Sequence, residues 1–414
     1  MVRAAKTVAV AIAAVAMALP GAATAQDEAP APGCSWWVGS NPDAVNVAYP
    51  DEGAAYWGTV LLPGTELVVR GRYPEARYFS FHGYDSLLRP TASILDSDVE
   101  PDAGDPSRYT VRIVPEPPPA EPEPNTVYAG QTFEGDPNPG GIVLYRVYVP
   151  DDPSDPTGGV GLPDVSLALA GGAVEVPFGQ CDLTAMLPGT GLNQAIRDAD
   201  YPDAAPRTRP AASDTNPPRW SKFFGYKSVL GLIPGNPVPP DLAPDGGGFL
   251  SNHHNEYVTA GLNRGHGDVV VMRATMPTFP DTRAGEPVDA PRQLRYWSIC
   301  QNETFSQRFV ACLADHQAVL DGEGRATIVV SDPGDRPANA TAEQGVNWLP
   351  WGGAYPNGRL IYRQMVAAPD FAESIARIEP GEDVRAAMGD YYPQIAYCPK
   401  ATFEQGGAEA CLSP

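Results

Sequence analysis

The chain has 414 residues and a formal charge of -22, with 47 Pro, 42 Gly and 43% hydrophobic residues. A charge of that sign repels nucleic acid and anionic membrane surfaces, so neither is an expected partner. The apolar content excludes a disordered chain and, with the Pro and Gly, describes a loop-rich globular protein too long for one ordinary core.

Residues 1–25 read as a secretory signal: Arg3 and Lys6 form a basic start, Val8 to Leu19 an apolar stretch, and Ala23-Thr-Ala25 a small-residue cleavage site. Losing Arg3 and Lys6 with the signal takes the formal charge to -24. That apolar stretch is too short to span a bilayer and no later one approaches the needed length, so a secreted or extracytoplasmic protein is predicted. Cys34 does not sit at the cleavage junction, which argues against a lipid anchor.

The chain then contains one design twice. Arg77-Tyr-Phe-Ser-Phe-His-Gly-Tyr-Asp85 returns as Arg295-Tyr-Trp-Ser-Ile-Cys-Gln-Asn-Glu303. Val69 to Pro74 matches Met272 to Pro277, Tyr109 to Val114 matches Ala326 to Ser331, Asn125 to Gly130 matches Asn347 to Gly352, and Val143 to Arg146 matches Leu360 to Arg363. Matching pieces in the same order, with 69 positions from Arg77 to Arg146 and 68 from Arg295 to Arg363, indicate an internal duplication. The boundaries are a 26–54 N-terminal segment, unit one over 55–152, a loop-rich connector over 153–254, unit two over 255–371, and a 372–414 C-terminal helix and disulfide tail.

Within each unit the patterns are those of strands. Leu67 to Arg72, Arg77 to Tyr84, Tyr109 to Val114 and Ile142 to Val149 are short β-rich runs bounded by Pro, Gly and Asp, repeated as Val269 to Arg273, Arg295 to Asn302, Ala326 to Val330 and Arg359 to Val366. The fold class predicted is all-β, two tandem jelly-roll-like β-sandwich units with a few short helices. The two-residue period puts Phe79, Phe81, Trp297 and Ile299 toward the core, and Tyr78, Ser80, His82 and Tyr84 on a second face open to solvent or a ligand. Helices are expected at Leu192 to Ala199, Trp220 to Leu232 and Asp370 to Ile378, the last with an apolar stripe of Phe371, Ile375 and Ile378. Pro115 to Pro124 is an extended, solvated insert.

Six cysteines in an exported chain predict three disulfides. Cys300 with Cys312 and Cys398 with Cys411 are the short-loop pairings, which leaves Cys34 for Cys181; other connectivities remain open on spacing alone. Metal binding is the rival reading, but there is no Cys-x-x-Cys.

Arg295-Tyr-Trp-Ser, the stretch Asp321-Gly-Glu-Gly-Arg-Ala-Thr-Ile-Val-Val and Asn347-Trp-Leu-Pro resemble the tandem bacterial exported domains of unknown function 1254 and 1214, and more closely actinobacterial secreted proteins of no assigned activity. The resemblance covers unit two well, unit one less, and residues 153–250 not at all. It implies jelly-roll-like β-sandwiches, and it carries over no catalytic residues.

Four clusters are candidates for chemistry. Asp85 and Glu303 occupy the same place in the two copies and would suit a general acid and base in glycoside hydrolysis if held roughly 5 to 10 Å apart; the plainer role is an acid closing a turn beside an arginine. His254, Glu256 and His266 offer imidazole and carboxylate ligands to Zn, although their spacing matches no known zinc motif. Asp96, Asp98, Glu100, Asp102 and Asp105 offer hard oxygens to Ca but lack the EF-hand pattern. Tyr78, His82, Tyr84 and Trp351 are ligand-binding candidates among the aromatic residues, which also include Trp36, Trp37, Trp297 and Trp348. The repeated arginines, Arg70 with Arg273, Arg77 with Arg295 and Arg146 with Arg363, are read as scaffold paired with carboxylates, and function is sought where the copies differ. The expected role is binding of a small molecule or glycan in a groove between the units. A glycan hydrolase or lyase using the paired acids or a His-held metal is the first alternative, and a cell-envelope structural protein the second.

Overall fold

The structure, a computed structural model, describes residues 34–36, 38–40, 46, 49–86, 88–132, 135–169, 175–180, 215–223, 250–304, 307–352 and 357–412. Unit one is built from β1 (Cys34–Ser35), β2 (Val38–Ser40), β3 (Ala54–Leu61), β4 (Thr65–Arg72), β5 (Ala76–Tyr84), β6 (Pro90–Leu95), β7 (Arg108–Val114), β8 (Thr126–Tyr128), β9 (Gly141–Pro150), β10 (Asp164–Leu169), β11 (Glu175–Pro177) and β12 (Gly179–Gln180). Unit two has β13 (Trp220–Lys222), β14 (Asn255–Asn263), β15 (Val269–Thr275), β16 (Tyr296–Glu303), β17 (Phe309–Ala314), β18 (Arg325–Ser331), β19 (Val346–Pro350), β20 (Asn357–Met365) and β21 (Gln394–Cys398), with helices α1 (Val384–Met388) and α2 (Lys400–Leu412).

Each unit is a sandwich of two sheets. In unit one the order β2-β3-β9-β5-β6 packs on β11-β10-β4-β7-β8; in unit two β13-β14-β20-β16-β17 packs on β19-β18-β15-β21. Phe79, Phe81, Val143, Tyr145 and Val147 from one sheet meet Leu67, Val69, Tyr109, Val111 and Ile113 from the other in the unit-one core. Trp297, Ile299, Leu360 and Tyr362 meet Val270, Met272, Ile328 and Val330 in unit two. The duplication is therefore structural: β3-β9-β5-β6 repeats as β14-β20-β16-β17, and the parallel ladder β7-β8 as β18-β19.

Four expectations change. The connector over 153–254 contributes strands to both units, since β10 pairs with β4 and β13 pairs with β14, so both sandwiches extend beyond the boundaries read from the repeat. The tail likewise supplies β21 as a partner of β15 before α2 begins. Asp370 to Ile378 is not an α-helix: its bonds are i to i+3 turns, and the Ile375 N–H is taken at 2.8 Å by the side chain of Gln364. Its apolar stripe is nevertheless buried in the unit-two core. Trp220 starts a strand instead of a helix, with its indole N–H donating to the Pro393 carbonyl at 2.8 Å. Leu192 to Ala199, residues 224–232, the signal stretch, Trp37 and Cys181 lie outside the described residues.

Among the described residues there are two disulfides, Cys300–Cys312 and Cys398–Cys411. Cys34 pairs in register with Gly179, two residues before Cys181. Among the described residues no helix is long and apolar enough to cross a membrane.

The sheets containing β5 and β16 face each other. Tyr148 of β9 and Tyr296 of β16 meet with ring centroids 5.8 Å apart, inside a cluster with Tyr78, Ala314 and Met365. This explains why the second face of β5 is closed to bulk water: the other unit covers it, and Tyr78, Ser80, His82 and Tyr84 are all buried. Reciprocal ion pairs lock the two copies together. Arg77 Nη1 donates to Asp315 Oδ1 at 2.6 Å, and Arg295, its counterpart, donates to Asp96. The second oxygen of each acid takes a backbone N–H, from Trp297 at 3.1 Å and from Phe79 at 2.9 Å. The repeated Arg77 and Arg295 are thus scaffold, as the duplication implied, but each reaches across to the opposite copy.

Candidate ligand site between the units

The two facing sheets are covered by exchanged segments. The residues leading into β14 lie on the sheet of unit one, and those leading into β3 lie on the sheet of unit two. The matching is close at the backbone. Leu250 and Tyr49 both adopt positive φ, 55° and 54°, which turns each carbonyl inward. Arg146 Nη2 donates to the Leu250 carbonyl at 2.6 Å and Arg363 Nη2 to the Tyr49 carbonyl at 2.7 Å. Asn252 Oδ1 accepts the His254 N–H and Asp51 Oδ1 the Gly53 N–H, each at 2.9 Å. Tyr78 reaches Asn252 as Tyr296 reaches Asp51.

On this common frame the side chains diverge. Unit two has Cys300 opposite Cys312, joined as a disulfide, with Glu52 accepting the Cys312 N–H at 3.0 Å and Gly53 above Tyr296. Unit one has His82 opposite Ser93, with His253 and His254 at the positions of Glu52 and Gly53. The His82 ring lies 5.0 Å from that of His254 and 5.9 Å from that of His253. In unit two Asp51 is buried against Arg363, 3.8 Å from its Nε, and also accepts from Ser298 Oγ at 2.5 Å. In unit one Asn252 stands in its place, so Arg146 faces no carboxylate among the described residues.

Arg146 is 2% exposed. Besides the Leu250 carbonyl it meets the ring faces of Tyr56 and Tyr84, at 5.7 and 5.4 Å from their centroids. Among the described residues its Nε and Nη1 reach no acceptor, and Asn252 Nδ2 and His82 Nε2 are likewise buried without a hydrogen-bond partner. A buried charge left without its counter-ion costs on the order of 3–5 kcal/mol.

The imidazoles stay neutral beside it. Burial, then the Arg146 charge and the neighbouring histidines, hold His82 well below the ordinary histidine range. Burial with His254 and Arg146 takes His253 down to about 3, and burial with Arg146 and Arg295 takes His254 down to about 4. The neutral rings are tied to hydroxyls. His254 Nδ1 meets Tyr78 Oη at 2.9 Å, Tyr78 Oη donates to Ser80 Oγ at 2.7 Å, and Ser80 Oγ meets His82 Nδ1 at 3.1 Å. With Tyr78 donating to Ser80 and Ser80 to His82 Nδ1, the proton of the neutral His82 ring is assigned to Nε2, which is then a donor.

The sequence-based candidates fall out as follows. Tyr78, His82 and Tyr84 are brought together with His254, whereas Trp351 belongs to the core of the other unit under Arg264. The structure does not assemble His254, Glu256 and His266. Glu256 pairs with Lys222 at 3.4 Å, His266 stacks on Tyr397, and the nine residues of β14 hold the two histidines roughly 30 Å apart. Asp85 and Glu303 each close their own hairpin, Asp85 on Arg89 at 2.7 Å and Glu303 on Arg308 at 2.8 Å. Both are thereby engaged in the geometry of their own turns. In the acidic stretch Asp96 serves the unit interface, Asp102 accepts from Thr110 and Asp105 from Ser107. Sequence reasoning missed Asn252, Ser93 and Asp51, and assigned Arg146 to the scaffold. Aligning Leu250 to His254 with Tyr49 to Gly53 would have exposed them, but those two pentapeptides share no residue.

No protein-family model and no characterised protein sequence matches the chain. Among solved structures, an uncharacterised protein from Burkholderia cenocepacia aligns over 87% of this chain and 83% of its own, at 16% identity and a TM-score of 0.48. A protein from Vibrio parahaemolyticus aligns over 84% and 90%, at 12% identity and a TM-score of 0.39. Likeness at this level carries no functional argument.

Proposed function

We propose that this is an extracytoplasmic binding protein, with a single small-molecule site inside the interface of the two units and centred on His82, His253, His254 and Arg146. The observation that carries this reading is the asymmetry of a duplicated frame. The arginine bond to the cover carbonyl, the turn bond within the cover and the tyrosine contact recur in both copies, while the side chains around them are exchanged for a histidine cluster in only one. Residues needed for the fold are needed twice; a single ligand site is needed once. Buried, convergent polar groups among aromatic rings are the usual lining of a small-molecule site.

Catalysis by paired acids has less support, because Asp85 and Glu303 are each bound within their own hairpin. The test is a thermal-shift screen of the mature protein against small acids, amines, sugars and short glycans. A ligand of this site raises the Tm of the wild type and of a Cys300→Ser/Cys312→Ser variant, and does not raise that of His82→Leu. Ligands that act equally on all three, or none at all across the panel, would overturn the proposal.

A further inference from the structure

The two copies also indicate what kind of molecule the site takes. In unit two a buried carboxylate, that of Asp51, receives Tyr296 Oη at 2.9 Å and Ser298 Oγ at 2.5 Å beside the Arg363 guanidinium. That is a complete receptor for one carboxylate, filled by the chain itself. Unit one retains the corresponding tyrosine, serine and arginine as Tyr78, Ser80 and Arg146, but replaces the acid by Asn252, whose Oδ1 is fixed by the His254 N–H at 2.9 Å, with Tyr78 Oη 3.2 Å away. Asn252 thereby reverses the polarity of the second position: a carboxylate oxygen there accepts, whereas the Asn252 Nδ2 donates. With Arg146 Nε and Nη1 and His82 Nε2, all buried and without a hydrogen-bond partner among the described residues, this makes a cluster of donors.

We propose that unit one binds a small monocarboxylate, held by Arg146 through two N–H groups, with Asn252 Nδ2 and His82 Nε2 as further donors. The inference rests on the binding role proposed above. A planar carboxylate matches the fork of a guanidinium, which explains an arginine at this point instead of a lysine. The charge count favours one negative charge: the site has one permanent cation, and its imidazoles are neutral. A phosphate dianion would bring a charge that nothing in the site offsets. A divalent cation would lie against Arg146 and be repelled.

The experiment is calorimetric titration of the mature protein with acetate, and then with formate and benzoate to gauge size, at fixed ionic strength with chloride and phosphate as controls. Saturable binding of a carboxylate to the wild type is expected. Asn252→Asp, a near-isosteric change that reinstates the acid of unit two, is expected to weaken it roughly a hundredfold, because a like charge then occupies the site. Arg146→Met is a second variant and is expected to abolish it. Binding that survives in Asn252→Asp, or chloride binding in place of acetate, would overturn the carboxylate assignment. A neutral ligand lost in Arg146→Met would retain the site and refute the anion. Absence of heat with every acid would refute the anion as well, and a silent thermal-shift screen would refute the site itself.

Discussion

The two copies differ most where they are built most alike. Both present a β-sheet face to the other copy, both cover it with a five-residue lead-in held by a buried arginine, and both exchange an arginine-to-aspartate contact across the interface. The cover region of unit two holds a disulfide, a glycine and an acid beside Arg363; that of unit one holds three histidines and an arginine that, among the described residues, faces no acid. Residues kept in both copies are those the fold needs twice, whereas the positions released from duplication are where the chemistry of the copies diverges. One copy is also an internal control for the other, because a change at matched positions meets the same backbone.

The reciprocal interface pairs allow the largest contrast. Asp315 and Arg77 are both fully buried, while Asp96 and Arg295 have side chains 14% and 13% exposed. Asp315→Asn leaves the buried Arg77 with the longer 3.8 Å contact to Asp281 in place of its close pair, and is expected to cost about 3 kcal/mol in urea unfolding. Asp96→Asn is expected to cost distinctly less, and equal losses would break the comparison. Next in size is the Cys300–Cys312 bridge, with a sequence separation of 12. Cys300→Ser with Cys312→Ser is expected to lower stability by about 3 kcal/mol, and added reductant to do no more to that variant at this hairpin.

The histidines separate the copies by pH. In the unfolded chain they titrate near 6.5, while in the fold His254 resists protonation to about 4 and His253 to about 3. The unfolded state therefore binds protons that the native state does not. Stability present above pH 6.5 is lost as the pH falls toward 4, by up to about 1.4 kcal/mol per pH unit for each histidine. His254→Gly, which restores the residue of unit two, is expected to flatten that slope in pH-dependent unfolding; an unchanged slope would show that His254 protonates freely in the fold. The smallest contrast concerns Asn125 and Asn347, which clamp the backbone of Glu100 and Val319 with matched pairs of bonds. Asn347 is buried at 7% and bonds the Thr327 carbonyl as well. Asn347→Ala is expected to cost about 1–3 kcal/mol and Asn125→Ala, in water, nearer 1 kcal/mol by the same unfolding assay.

The repeated strands were legible because alternation along Arg77 to Tyr84 and Arg295 to Asn302 sorts core from outer face. The sequence order of the matching pieces then revealed the duplication. What was not legible depends on the meeting of the two copies. Arg77 and Asp315 are 238 residues apart and Arg295 and Asp96 are 199 apart, so no local pattern joins them. The polar face of Tyr78, Ser80, His82 and Tyr84 reads as open until the other unit is placed upon it. β3 and β14 escaped notice because both of their faces are mostly covered, which removes the alternation that marks a half-buried strand. His82 and His254 were both singled out as positions where the copies differ, but their partnership needs β5 and the lead-in to β14 in one place. The metal grouping of His254 with His266 followed closeness in sequence, which a strand of nine residues converts into distance.

The decisive difference between the copies is that, among the described residues, Arg146 is buried without the counter-charge that Arg363 has. It is tested most directly by comparing the unfolding free energies of two reciprocal variants, Asn252→Asp and Asp51→Asn, in buffer free of small organic acids. The account predicts opposite signs. Asp51→Asn loses about 3–5 kcal/mol by stranding Arg363, and Asn252→Asp gains stability by giving Arg146 an acid. A loss in both would contradict it, because Arg146 would then already have its charge balanced within the fold.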